Sequence, residues 1–243
     1  MRRLIDEQGL EGFLLSGGSN RRNEIKYERY YPVIEGLKRD HPGLRIAIHS
    51  ALIDGPRAQA MANAGFDTAM LDIIGAEDTI REVYHLERPV ADFETSLAAL
   101  CATSLAVVPH IVIGLHFGRI VGEMAALEIC ARHNISALVL VIVMPHYATA
   151  GTFQTPSAHA VGAIMLAARE RIEQAEVLLG CARPSGLAKR VTDAYAVMAG
   201  LDAVAFPADG TVALARALGR PFAQQHQCCS FKLASAPLAR ACA

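Results

Sequence analysis

The sequence has no tryptophan, and aromatic residues make up only 6% of its 243 positions. Proteins that bind single-stranded nucleic acids stack bases on aromatic side chains, so a stacking surface of this kind is not expected. The net charge is −1, which also removes the basic surface that a nucleic acid or an acidic membrane attracts. The composition therefore argues against nucleic-acid and membrane-surface binding.

Long apolar segments are also missing. The longest apolar run, 135–145, is interrupted by Ser136 and falls well short of the roughly 18 residues that a membrane-spanning helix needs. Residues 1–7 are too acidic and too poor in apolar side chains for a signal peptide. We therefore expect a cytoplasmic protein without a membrane segment.

The chain has six cysteines but no CxxC pair. Without such spacing or a secretory context, no disulfide framework is indicated. Cys101 and Cys130 fall in apolar, helix-like segments and are predicted to be buried thiols. No role follows from the sequence for Cys181, Cys228 or Cys229.

Strand-like and helix-like segments alternate seven times along the chain. The expected strands are 12–15, 44–50, 68–75, 107–115, 137–144, 176–181 and 203–206. The expected helices are 1–8, 30–39, 57–64, 79–86, 92–103, 122–132, 157–174, 190–199 and 211–218. Gly9 and Gly200 are predicted C-caps, and Asp92 is a predicted N-cap. Strands that alternate with helices pair in parallel, so the pattern predicts a parallel sheet.

The number of units favours an incomplete barrel. A (β/α)8 barrel uses roughly 250 residues, and seven of its units would use about 217. We predict an α/β fold of TIM-barrel type with seven of eight units present and the first strand missing. Residues 1–243 would form a single domain, with the end of a helix at 1–10 and a tail at 220–243. The alternative is a doubly wound open sheet, although its usual G-x-G-x-x-G turn is absent.

The first expected strand ends in Ser16-Gly17-Gly18-Ser19. Two adjacent glycines let a ligand approach the main chain closely, and α/β proteins bind ligands at the carboxyl ends of their strands. A tight strand-to-helix turn without a ligand explains the same residues equally well. The stretch is therefore one candidate binding loop with a structural alternative.

Chemically active side chains fall at the ends of other expected strands. These are His49, Asp72, His110, His116, Cys181 and Arg183, and the fifth strand ends at Met144-Pro145. In a parallel barrel these ends lie on one rim, where active sites form. Each residue also has a structural alternative: the histidines as hydrogen-bonded core residues, Asp72 as a helix cap, and Arg183 as the partner of a rim carboxylate.

Three segments carry a resemblance to a known family. They are LLSGGSNRR at 14–22, VPHIVIGLH at 108–116 and GCARP at 180–184. Their order and spacing resemble those of radical S-adenosylmethionine enzymes, and they are most similar to the biotin synthase and lipoyl synthase branch, including archaeal-type lipoyl synthase-like proteins. The resemblance covers about 11–229.

This resemblance implies S-adenosylmethionine as a cofactor. Gly17 and Gly18 would hold its amino and carboxylate groups through the backbone, and Val112 and Gly114 would lie beside its adenine. Ser19 stands where the family usually has an acid, so one contact to the amino group is altered. The implied cofactor-binding residues are Ser16, Gly17, Gly18, Ser19, Val112 and Gly114.

The resemblance further implies that His49, Asp72, His110 and Arg183 are catalytic and face the central cavity. The implied substrate is a small molecule or a protein-bound group of lipoyl or biotin type, and the implied chemistry is sulfur insertion or a related radical reaction. A barrel with one strand missing has open edges, and we therefore predict either a homodimer formed through them or a monomer that is prone to aggregate.

The sequence departs from the family in its cysteines. The family holds a [4Fe-4S] cluster with a CxxxCxxC motif after the first barrel strand, and no three cysteines here have that spacing. Because such a cluster needs grouped thiolates, we expect the chain as given to bind no cluster and to leave S-adenosylmethionine uncleaved. The leading interpretation is the body of a radical enzyme whose first unit lies upstream of Met1.

Two alternatives remain open. One is a non-catalytic paralogue that keeps the fold and binds a small molecule or a partner. The other is a metal-dependent hydrolase barrel that uses His49, Asp72, His110 and His116, although neither an HxH nor an HExxH pair is present.

Overall fold

The protein is built around a single parallel sheet. The computed structural model describes residues 1–144, 148–225 and 231. The strands are β1 (Gly12–Leu15), β2 (Arg45–His49), β3 (Thr68–Asp72), β4 (Ala106–Ile113), β5 (Ala137–Ile142), β6 (Glu176–Leu179) and β7 (Ala203–Val204). Each strand pairs in parallel with the next one along the chain.

This order confirms the predicted α/β fold of TIM-barrel type with seven parallel strands, which form a half-barrel. The sheet of seven parallel strands curls in the manner of a TIM barrel, and its strand order never reverses. A doubly wound sheet requires such a reversal, so that alternative is wrong. Within the described residues, β1 and β7 each pair on one side only, and no helix there is long and apolar enough to cross a bilayer.

Helices follow the strands and cover the outside of the sheet. They are α1 (Arg2–Gln8), α2 (Tyr31–Asp40), α3 (Gly55–Asn63), α4 (Glu77–Glu82), α5 (Val90–Cys101), α6 (Glu123–Ala131), α7 (Ala158–Arg171), α8 (Gly186–Ala199) and α9 (Thr211–Ala217). Gly9 and Gly200 end α1 and α8 in the left-handed conformation, with φ of 64° and 83°. Both predicted C-caps are therefore confirmed.

The predicted N-cap at Asp92 is wrong. Helix α5 begins at Val90, and Pro89 occupies the cap position with an extended backbone. Proline suits a helix entry because its φ is fixed and it has no N–H to leave unpaired. Asp92 lies in the first turn instead, where its carboxylate accepts a hydrogen bond of 3.1 Å from Arg88.

The strands have two apolar faces of different character. Residues such as Ile48, Leu71 and Ile111 belong to the large core between the sheet and the helices. Residues one step along each strand, such as Met70 and Val108, form a second buried cluster on the concave face. Since side chains alternate across a strand, residues spaced by two from this cluster also face the interior of the half-barrel.

One residue of the predicted tail at 220–243, Phe231, packs inside the half-barrel. Phe231 is buried in the concave cluster, and the guanidinium carbon of Arg45 lies 4.4 Å from its ring centroid. A Cβ built on Gly12 would lie 3.2 Å from the same ring. Phe231 therefore lies beside the amino ends of β1 and β2.

The predicted buried thiols differ in degree. Cys130 is fully buried, whereas Cys101 is partly exposed. Burial raises the pKa of both thiols, to about 12 for Cys130 and about 11 for Cys101. Cys181 is exposed. Pro145, Cys228 and Cys229 lie outside the described residues, and the single-domain assignment of 1–243 stays a prediction.

Candidate functional site

Three of the four predicted catalytic residues lie together inside the half-barrel. His49 and Asp72 end β2 and β3, and Asp72 is the register partner of His110 on β4. His49 Nε2 lies 3.5 Å from Asp72 Oδ1, and the two imidazole rings are 5.7 Å apart between centroids. We call His49, Asp72 and His110 the rim cluster.

The rim cluster arises from the alternation of the strands. His49 is two residues beyond Ala47, and His110 is two residues beyond Val108, both of which belong to the concave apolar cluster. Asp72 is likewise two residues beyond Met70. The three polar side chains therefore lie next to the concave apolar cluster, on its side toward the carboxyl ends of the strands. The low local polarity strengthens the electrostatic interactions among them.

Asp72 and His49 stabilise each other in their charged forms. Burial alone would lower the pKa of His49, but the hydrogen bonding and charge of Asp72 together raise it above its ordinary value. Burial would raise the pKa of Asp72, and His49 together with other neighbours lowers it instead. The separation of 3.5 Å is long for a hydrogen bond, and the buried Nε2 has no closer partner within the described residues, so the charge of Asp72 is the main stabilising influence on a protonated His49.

The pKa of His110 is shifted in the opposite direction. Burial lowers its pKa to about 4, against the smaller raising effect of Asp72. Its Nδ1 lies 3.1 Å from the carbonyl oxygen of Val108. Since a carbonyl oxygen only accepts, Nδ1 carries the proton of the neutral ring and Nε2 keeps its lone pair.

Sequence reasoning missed Tyr84, which also reaches Asp72. Its phenol donates to Asp72 Oδ2 at 3.4 Å, and burial with the nearby carboxylate raises the tyrosine pKa. Tyr84 follows α4, so no strand-end pattern marks it. The only sequence signal is an aromatic residue soon after the short polar helix 77–82.

The fourth predicted catalytic residue, Arg183, lies in a buried ion pair, and its catalytic role stays a prediction. Its side chain has no exposed surface and pairs with Asp193 of α8, with Nε and Oδ1 2.7 Å apart. It also donates to the carbonyl oxygens of Gly180, Ala205 and Phe206. Arg183 therefore ties the loops after β6 and β7 to α8, which is close to the structural alternative considered from the sequence.

The glycine loop after β1 lies at the same carboxyl ends of the strands as the rim cluster. Residues 16–20 are exposed, and a Cβ built on Gly18 would meet no atom within 4 Å. A Cβ on Gly17 would lie 3.3 Å from the hydroxyl of Tyr27, and that hydroxyl donates to the carbonyl oxygen of His49 at 3.4 Å. Tyr27 thus links the loop to the end of β2.

Asn20 gives the second half of this loop its shape. Its side-chain oxygen accepts from the backbone N–H groups of Arg22 and Glu24, at 2.8 and 3.0 Å. Asparagine side chains commonly fold a chain back in this way. The turn leaves Gly17, Gly18 and Ser19 outside its own hydrogen bonds, so their backbone can serve a ligand.

Val112 and Gly114, the two residues predicted to lie beside the adenine, differ in how accessible they are to a ligand. Val112 is half-buried and lies two residues beyond His110 on the same face of β4. Gly114 has φ of 79°, and its N–H donates to Glu123 Oε1 at 2.7 Å. A Cβ on Gly114 would lie 2.8 Å from Pro156 Cγ. Its backbone is therefore occupied by the protein, while Val112 stays available to a ligand.

The ligand set of the metal-dependent hydrolase alternative does not assemble. His116 lies apart from the predicted set, with Nδ1 3.1 Å from Thr79 Oγ1 and Nε2 3.8 Å from Glu82. Across the described ranges, no group of three or more His, Cys, Asp or Glu side chains could hold a metal ion. The ligands predicted for this alternative therefore do not form a metal-binding group in the described part of the chain.

Comparison with solved structures shows relatives of the fold. The maturase HydG of the [FeFe]-hydrogenase matches 83% of this chain with a TM-score of 0.62 and 14% identity. Methylornithine synthase (PylB) matches 83% with a TM-score of 0.60 and 12% identity. The HMG-CoA lyase of Brucella melitensis matches 79% with a TM-score of 0.56 and 13% identity, and covers 72% of the lyase chain.

The chain spans about half the length of the first two of these proteins, 47% of HydG and 58% of methylornithine synthase. No family model matches the sequence, and no curated protein matches it. At such low identities the likeness establishes a shared barrel fold.

Replacing Asp72 by asparagine is expected to lower the pKa of His49 below its ordinary value. Burial would then act on the imidazole without the opposing carboxylate. Asparagine has nearly the same shape and still accepts from Tyr84, so the effect isolates the charge. An NMR pH titration that follows the side-chain resonances of His49 in the wild type and in Asp72→Asn measures this change in pKa.

The same pair makes stability depend on pH. The raised pKa of His49 gives a contribution to the folding stability that is complete below about pH 6.5. This contribution is lost as the pH rises through the pKa of His49 in the folded protein. The lowered pKa of Asp72 gives a second contribution to the folding stability. It is present above about pH 3.9 and is lost as the pH falls through the pKa of Asp72 in the folded protein. Asp72→Asn should therefore destabilise more at about pH 5.5 than at about pH 8.5, and equal losses at both would contradict the pairing.

Proposed function

We propose that this chain is the body of a radical S-adenosylmethionine enzyme and binds that cofactor at the carboxyl ends of its strands. The observation that carries the proposal is the placement of two features at one mouth: the open backbone at Gly18 and the rim cluster. The fold likeness to HydG and methylornithine synthase, which are radical S-adenosylmethionine enzymes, supports it.

The residues at the mouth fit the methionine end of the cofactor. The exposed backbone around Gly17 and Gly18 admits a close approach by its amino and carboxylate groups. Ser19, where the resembling family has an acid, offers a hydroxyl in place of a charge. The half-buried Val112 supplies an apolar contact for the adenine, whereas Gly114 supports the fold of its own loop.

The described residues do not fit a [4Fe-4S] cluster. Cys130 is buried, and the pKa values of Cys101 and Cys130 are raised by burial, which disfavours the thiolates that iron requires. Cys181 is exposed but has no grouped partners in the described part of the chain. We therefore propose cofactor binding, and we assign no cleavage step to these residues.

The substrate class remains part of the proposal. The segments 14–22, 108–116 and 180–184 favour the biotin and lipoyl synthase branch, and with it a lipoyl- or biotin-like substrate and sulfur insertion. A non-catalytic binding subunit is the second candidate, and the lack of grouped thiolates among the described residues favours it. For either function we propose that the edges of β1 and β7, each of which pairs on one side only in the described ranges, mediate homodimer formation.

Binding of S-adenosylmethionine should depend on Gly18. Calorimetric titration of the wild-type chain is expected to show saturable binding, and Gly18→Val is expected to weaken it at least about tenfold, because the side chain occupies the space where the ligand approaches the backbone. The protein itself has room for the valine, since no atom lies within 4 Å of the added Cβ.

Gly43→Val is a matched control for this experiment. A Cβ at Gly43 also meets no atom within 4 Å, and Gly43 precedes β2, at the opposite end of the sheet from the glycine loop. This variant should bind S-adenosylmethionine as the wild type does. Equal affinities for wild type and Gly18→Val, or no binding by the wild type, would refute the proposed cofactor site.

A further inference from the structure

The rim cluster presents one hydrogen-bond donor and one acceptor to the interior of the half-barrel. We infer that it binds an uncharged ligand group that both donates and accepts a hydrogen bond, such as a carboxamide or a hydroxyl. The inference rests on the proposed function, because it takes the mouth of the half-barrel as the ligand site. Beyond the proposed function, it specifies the kind of polar group that the interior of the half-barrel binds.

His110 supplies the acceptor. Its Nδ1–H is held by the carbonyl oxygen of Val108 at 3.1 Å, so the lone pair is on Nε2. No hydrogen bond from the described residues reaches that Nε2. His110 is buried, and its pKa of about 4 keeps the ring neutral near pH 7. A ligand that meets this nitrogen must therefore bring a proton of its own.

His49 supplies the donor. Its Nε2 faces Asp72 Oδ1 at 3.5 Å, and the carboxylate favours the charged imidazolium. Its Nδ1 has no hydrogen-bond partner among the described residues, and 29% of the side chain is exposed. The groups that face this histidine are Asp72 from β3 and His110 from β4, and Tyr84 binds the far oxygen of Asp72.

The charges of the cluster disfavour ionic ligands of either sign. A carboxylate would set its lone pairs against His110 Nε2 and its charge against Asp72, and an ammonium group, which only donates, would offer no acceptor to an N–H of His49. A carboxamide or hydroxyl satisfies both nitrogens at once. A buried polar group left unpaired costs much more than a formed hydrogen bond gains, so the discrimination is expected to be large.

The neighbouring wall indicates that the polar group is carried on an apolar chain. Val112 and Val141 are register partners on β4 and β5, and both are half-buried on the face of His110. They lie one step nearer the mouth than the rim cluster. An apolar segment that passes these valines would bring its terminal polar group beside the two histidines.

Three probes of nearly equal shape test the inference: butanamide, butanoate and butylammonium. Each is titrated into the wild-type chain near pH 7, and the side-chain resonances of the histidines are followed by NMR. Butanamide is expected to shift both His49 and His110 saturably, with an apparent dissociation constant at least about tenfold below that of butanoate. Equal or tighter binding of butanoate or butylammonium, or no saturable shift with any probe, would overturn it.

Variants of His110 test whether the preference for butanamide depends on the hydrogen-bond acceptor of this residue or only on the shape of its ring. His110→Phe should lose the preference for butanamide, whereas His110→Gln, which keeps an acceptor oxygen, should retain part of it. His159→Phe, at an exposed position of α7, should leave it unchanged. A preference that survives in His110→Phe would also overturn the inference.

Calorimetry with S-adenosylmethionine on the same samples distinguishes the two proposals. A chain that binds the cofactor but does not discriminate between the probes refutes this inference alone. A chain that prefers butanamide but does not bind the cofactor refutes the proposed function and leaves the chemistry of the rim cluster standing.

Discussion

Replacing Asp193 by alanine is expected to lower the free energy of unfolding by about 3–5 kcal/mol. The reason is the guanidinium of Arg183, which has no exposed surface and would be left without its counter-charge. Asp193 accepts from Arg183 at 2.7 and 3.1 Å and from the backbone N–H of Ala208 at 2.7 Å. Losing both partners would loosen the loops that follow β6 and β7.

Urea denaturation at neutral pH measures this change. The control is Asp78→Ala, which removes an ion pair to Arg81 in which both side chains are more than half exposed. Exposed pairs of this kind contribute roughly 0–1 kcal/mol, so this variant should unfold almost as the wild type does. If Asp193→Ala were no more destabilising than Asp78→Ala, the buried ion pair would not be holding the two loops to α8.

Gly75→Ala is expected to cost about 1–3 kcal/mol or more, as overpacking of a tight contact does. The added Cβ would overlap the carbonyl oxygen of Gly122 and would lie 2.5 Å from the backbone N of Ala126. These are backbone atoms at the start of α6, so they cannot move aside as a flexible side chain would. The segment after β3 would have to shift, and Asp72 lies three residues earlier.

The control for this variant is Gly55→Ala, at the first position of α3. A Cβ there meets no atom within 4 Å, so the alanine side chain causes no overlap with the rest of the described chain. Thermal unfolding should therefore show a lower midpoint for Gly75→Ala and an equal or higher midpoint for Gly55→Ala. A midpoint for Gly75→Ala equal to that of the wild type would mean that the two segments are not in close contact.

The rim cluster shows how much of the candidate site could be predicted. His49, Asp72 and His110 each end, or nearly end, an apolar strand-like segment, and parallel pairing brings such residues to one rim. Tyr84 could not be found in this way, because it lies in the irregular segment after α4. The opposite pKa shifts of the two histidines also depend on burial and on the position of Asp72, which a linear pattern does not reveal.

Arg183 shows the limit of the same reasoning. It also follows a strand, but its side chain is drawn away by Asp193, ten residues later on α8. A guanidinium in an apolar environment is stable only beside a counter-charge, and the nearest one was on the helix rather than in the cavity. The strand-end rule identifies the end of the sheet at which a residue lies and leaves the direction of a long side chain open.

The sequence by itself determined the repeated units, the parallel order of the strands and the faces of their side chains, because these follow from local apolar periodicity and from short connections. Only the tertiary structure decided which polar side chains meet. Phe231 reaches the amino ends of β1 and β2, Tyr84 reaches Asp72, and Glu123 takes the N–H of Gly114. These contacts join segments without any shared periodicity, and their partners are selected by burial and by the need to satisfy polar groups in the folded chain.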